Sequence, residues 1–82
     1  MMYCIAYNYS EYLSWCRMRQ INPYKDAKYL GTHMHIMSLR DVTITLIRRW
    51  KEREDFNAIN VELEYRVMKD YVKTEESEVF LE

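Results

Sequence analysis

Arg48-Arg49-Trp50-Lys51 is the segment whose residue types best fit a chemical task. A guanidinium grips phosphate or carboxylate through a two-pronged fork, and a neighbouring indole offers a face for a base, so the run could hold a nucleotide or a nucleic-acid backbone. The next residues, Glu52, Arg53, Glu54 and Asp55, can neutralise those arginines, which would make the stretch an ordinary solvated loop. His33 and His35 form a second candidate pair. In an extended segment that spacing points both rings the same way, but two histidines fall short of a zinc set, and Cys4, Cys16, Asp26 and Asp41 stand at no diagnostic spacing. The sequence therefore predicts no metal. Ser10, Cys4 and Cys16 are the available nucleophiles, and each has a plainer use: Ser10 as a helix cap, the cysteines as small buried hydrophobes rather than a disulfide. Glu62-Arg66 and Arg66-Asp70 sit four apart, the spacing of a mutually paired helix face. With Gly31 the one glycine, glycine-rich phosphate loops are excluded. No catalytic constellation and no cofactor motif follows, and the expectation is that the protein is not an enzyme.

Positioning these residues falls to a few recognisable segments. Tyr3 to Tyr7 is almost continuously apolar, as in a strand covered on both faces, and Val42 to Ile47 is rich in β-branched residues and gives the strongest strand signal. A helix is predicted over about 10–20, with Ser10 as N-cap and Glu11 in the first turn, ended by the Asn22-Pro23 break. A short strand follows at Ala27 to Gly31, and residues 32–40 read as a loop with one helical turn. From Asp55 to about Tyr71, Phe56, Ile59, Leu63, Val67 and Tyr71 recur at helical spacing, giving a second amphipathic helix. After the acidic Glu75-Glu76-Ser77-Glu78, the run Val79-Phe80-Leu81 would be a last edge strand or a frayed end.

The order predicts an α/β domain: a small, open, mostly parallel sheet of three to four strands, Rossmann-like, flanked by two main helices. Right-handed crossovers place the first strand between the second and third, giving the order 2-1-3. In such sheets ligands sit beyond the carboxyl ends of the strands where the order reverses, which nominates Asn8, Tyr9 and Ser10 beside Arg48, Arg49 and Trp50.

At 82 residues the chain has room for one domain over residues 1–82, with 49% hydrophobic residues to fill its interior. Twelve Lys and Arg against 13 Asp and Glu leave a net charge of −1, so no global field draws it to nucleic acid or to an anionic membrane. The start lacks the basic and apolar segments of a signal peptide, and no run approaches the ~20 apolar residues of a membrane span, so the expected setting is cytoplasmic. Eight tyrosines exceed what a core this small requires. Tyrosine joins an apolar body to a polar tip, and the surplus marks either the core margin or a surface for a partner protein or a homodimer.

Certain short motifs carry a resemblance. The Tyr-rich first strand, Tyr12-Leu13-x-Trp15-Cys16-Arg17, the Asn22-Pro23 break, Asp26-Ala27-Lys28-Tyr29, and Leu39-Arg40-Asp41-Val42 before a β-branched strand together resemble small uncharacterised proteins encoded by tailed bacteriophages and prophages, over roughly residues 3 to 68. The resemblance implies a phage origin and a host-cytoplasm setting, and carries no activity onto any residue. Together the residues and the resemblance predict a phage accessory protein that binds a host protein or itself through Tyr and Trp surfaces. The alternative is a nucleotide or nucleic-acid binder at the carboxyl ends of the first and third strands.

Overall fold

The computed structural model describes residues 1–77. Four strands, β1 (Met2–Ile5), β2 (Ala27–Tyr29), β3 (Val42–Leu46) and β4 (Val72–Glu76), form one parallel sheet in the order β2-β1-β3-β4. Helices α1 (Tyr9–Met18), α2 (His33–Ile36) and α3 (Phe56–Met68) connect them, with a 3₁₀ turn at Trp50–Glu52. The predicted α/β class and the placing of β1 between β2 and β3 hold, and β1 and β3 run side by side with Tyr3 beside Ile44 and Ile5 beside Leu46.

The near-continuous apolar run of β1 is explained by burial on both sides. Ile5 joins Leu30, Ile36, Ile44, Leu46, Trp50, Ile59, Leu63 and Val72 in the core under α2 and α3. Cys4 and Ala6 face the other way and pack with Tyr12, Trp15 and Cys16 of α1, together with Ala27 and Ile47. Alternation along a strand sends neighbouring side chains to opposite faces, so a strand between two helical layers can be apolar throughout.

The strands end one or two residues before the predicted limits, and both main helices shift. Helix α1 begins at Tyr9 rather than about 10, and its N-cap is Asn8, two residues before the expected Ser10: the Asn8 Oδ1 accepts the Glu11 backbone N–H at 2.8 Å. Helix α3 ends at Met68, three residues short of Tyr71. Asp70 takes a left-handed conformation (φ 62°), its N–H bonds the Val67 carbonyl, and the Tyr71 N–H bonds back to the Arg66 carbonyl at 2.9 Å. That is a Schellman cap, and α1 ends in the same way, with Gln20 left-handed and Ile21 bonded back to Cys16. The chain is thereby turned into β4 at Val72. This fourth strand begins before the tail expected over residues 74–82 and takes in Glu75 and Glu76 of its acidic run, while the strand or frayed end expected at Val79-Phe80-Leu81 falls outside the described residues. Among the described residues, no helix is long and apolar enough to cross a membrane.

Candidate functional site

The carboxyl ends of β1 and β3 are adjacent, as the predicted rim requires. Asn8, Tyr9 and Ser10 are all exposed at the start of α1, and Arg48 and Arg49 are exposed after β3. What the rim offers chemically differs from expectation. Trp50 is 5% exposed and packs at a tilt against Phe56, ring centroids 5.2 Å apart, so its indole is a core side chain and presents no face to a base. Arg49 adopts φ 72° and Trp50 opens the 3₁₀ turn that follows, where it joins the core with Ile36, Ile59 and Leu63. Arg49 lies over the Tyr7 ring at 4.6 Å and pairs with Glu52 at 3.3 Å. Asn8 spends its carbonyl oxygen on the helix cap, and Glu11 already supplies a negative charge to the first turn of α1.

The residue that organises the rim is Arg53, read from the sequence as one charge in a solvated run. Its side chain is 8% exposed. Nε donates to Asp55 Oδ1 at 2.8 Å and Nη2 to Asp55 Oδ2 at 3.0 Å, a bidentate pair. Nη2 also donates to the Gly31 carbonyl at 2.6 Å, while Nη1 donates to the Ala6 carbonyl at 2.9 Å and the Tyr29 hydroxyl at 3.4 Å. A guanidinium has five N–H groups, and here each has an acceptor. The side chain leaves the loop after β3 and ties together the ends of β1 and β2, so it stands where a ligand would sit in an open sheet. Hydrogen bonds from Arg53 hold the Asp55 carboxyl below its ordinary value. Beside this clasp is a shallow depression of about 430 Å³ lined by Tyr7, Asn8, Arg53, Glu54 and Asp55. Its two carboxylates oppose an anion.

His33 and His35 fall in the helical turn α2, where a two-residue spacing sends side chains to different sides, so the extended-segment geometry that would aim both rings together is absent. His35 Nδ1 accepts the Gly31 N–H at 2.9 Å. Cys4 and Cys16 are buried free thiols. Burial pushes the Cys4 thiol up to about 12, which keeps it protonated and un-nucleophilic near neutral pH.

A second concavity lies along the other side of β2. It measures about 510 Å³ and is lined by Met1, Tyr3, Tyr9, Tyr12, Pro23, Tyr24, Ala27, Lys28 and Tyr29. Tyr9, Tyr12 and Tyr29 form a ring triad with centroids 5.4–5.8 Å apart. Tyr12 is buried and anchored by its hydroxyl, which donates to the Pro23 carbonyl at 2.8 Å. Tyr9 and Tyr24 are 46% and 74% exposed. No family model, curated protein or solved structure matches the chain.

Of the nominated residues, the structure brings Asn8, Tyr9, Ser10, Arg48 and Arg49 to one rim and withdraws Trp50 from it. Sequence reasoning missed Arg53 as the centre of that rim. It also missed Asn8 as a cap, although Asn8-Tyr9-Ser10-Glu11 has the spacing of a capping box.

Proposed function

We propose that the protein acts by binding an extended segment of a partner protein in the tyrosine-lined groove beside β2. The observation that carries this reading is the pairing of exposed aromatic rings with an edge strand: Tyr9 and Tyr24 stand open to solvent over a groove whose floor is the buried, anchored Tyr12. β2 is the end strand of the described sheet, so its outer backbone groups are offered to an added strand. Rigid rings with polar tips contribute large contact area at small cost in rotamer freedom. A phage accessory protein working on a host protein in the host cytoplasm, as the sequence resemblance implies, would use such a surface. Nucleotide or nucleic-acid binding at the rim is the weaker reading, because Trp50 is buried and Arg53 is fully engaged.

The test is affinity capture from host lysate with the intact chain and with the double variant Tyr9→Ser, Tyr24→Ser. Tyr24 is mostly exposed and Tyr9 gives up only its ring contacts with Tyr12 and Tyr29, so the variant should stay folded and melt modestly below the parent. A partner retained by the parent and lost by the variant is the expected result. Identical capture by both would remove the groove from the argument.

A further inference from the structure

The outer face of α3 carries a pattern that the core does not use. Ile59 and Leu63 are buried under the helix, yet Val61, Tyr65 and Met68, on the opposite side, are 67%, 45% and 73% exposed, and Ala58 is exposed with them. Their spacing, 58, 61, 65 and 68, is three-four-three, the a and d positions of two successive heptads. A helix that needs only one apolar face to pack on its sheet therefore presents a second apolar seam to water.

The residues flanking this seam say what covers it. Glu64 precedes Tyr65 at the g position and Lys69 follows Met68 at the e position, both exposed, with the Lys69 ammonium 5.8 Å from the Tyr65 ring. In a parallel pair of such helices, each g residue meets the e residue five positions on in the other strand. Glu64 would then meet Lys69 of the second copy, and Lys69 would meet its Glu64, two opposite-charge contacts generated by one two-fold axis. Antiparallel pairing with Val61 against Tyr65 would instead set Glu64 beside Glu64. We propose that α3 pairs in parallel with α3 of a second copy of this chain, through Ala58, Val61, Tyr65 and Met68. This surface is separate from the tyrosine groove, and the inference does not depend on the function proposed for it.

Two heptads bury less than the ~800 Å² per partner of a standard interface, so the association should be reversible, with Kd on the order of 10 μM or weaker. Sedimentation equilibrium of the full chain up to about 1 mM reads it directly. The parent should follow a monomer–dimer equilibrium, and Tyr65→Glu should be monomeric throughout. Glu64→Lys alone and Lys69→Glu alone should each weaken pairing on the order of tenfold at low salt, because each turns both contacts into like-charge ones. The two together should restore it. All three positions are exposed, so thermal melts of the variants should match the parent. A parent that stays monomeric at every concentration, or a double charge exchange that fails to rescue, overturns the proposal.

Discussion

The rim at the carboxyl ends of the strands and the groove beside β2 are made from the same kinds of residue, and they have come to opposite ends. At the rim the aromatic and the cation have turned inward: Trp50 fills the core and Arg53 spends every N–H on the protein itself. In the groove one tyrosine is locked, Tyr12 to the Pro23 carbonyl, while Tyr9 and Tyr24 stay open to solvent. Polar groups already satisfied within the protein have less to offer a ligand than groups left open to solvent. The two regions also share a wall, since Tyr29 both stacks in the triad and accepts from Arg53.

If the rim is structural, its loss must be felt as stability. Arg53→Met would leave the Ala6 and Gly31 carbonyls without their charged donor and Asp55 without its cation. A loss of about 3–5 kcal/mol is expected, because a hydrogen bond from a charged donor contributes ~1.5–3 kcal/mol and both carbonyls lose theirs. At ~4–8 °C per kcal/mol for a domain of this size, calorimetry would show the melting temperature falling by more than 10 °C. Arg53→Lys should recover little of it, because an ammonium cannot reproduce the planar fork. A melting temperature within 2 °C of the parent would show that the Arg53 clasp is not structural, and the rim would then be free for another role. In contrast, Arg48→Ala with Arg49→Ala alters exposed cations, and it should change stability by less than ~1 kcal/mol. It should also leave thermal shifts with added nucleotides as they are in the parent, because Trp50 is buried and Arg49 is already engaged by Tyr7 and Glu52. A nucleotide-induced shift that the double variant abolishes would restore the rim as a ligand site.

How these regions could be read from residue order alone follows from the range of the forces involved. The apolar run at Tyr3 and the β-branched run at Val42 announce strands because burial on two faces demands such residues, and their parallel adjacency follows from connection rules. β4 announces nothing: within Val72–Glu76 only Val72 is buried, so there is no alternation to see in Lys73-Thr74-Glu75-Glu76. The end of α3 is equally silent, because Asp70 rather than glycine takes the left-handed position and Tyr71 continues the helical spacing into the cap. Arg53 is invisible for a further reason. Its acceptors are backbone carbonyls at Ala6 and Gly31, 47 and 22 residues away, and a carbonyl leaves no mark on the residue type that bears it.

The smallest expected effect separates the ion pair of the clasp from its backbone bonds. Asp55 has its carboxyl held below the ordinary value of 3.8, first by the hydrogen bonds from Arg53, and the charge of Arg53 and of His33 acts in the same direction. A carboxyl whose folded value is depressed contributes stability that is complete above the unfolded value and is lost as the pH falls through the folded one. The contribution of Asp55 should therefore be constant at neutral pH and be lost progressively as the pH falls below about 4. Because its side chain is 41% exposed, solvent screens the pair and the loss should stay under ~1 kcal/mol. Asp55→Asn removes that titration while leaving Arg53 on the Ala6 and Gly31 carbonyls. Urea melts of parent and variant between pH 7 and pH 3 should therefore converge as the medium becomes acidic. A gap that stays constant with pH would mean that Asp55 acts through packing rather than charge, and the clasp would then be a matter of carbonyls alone.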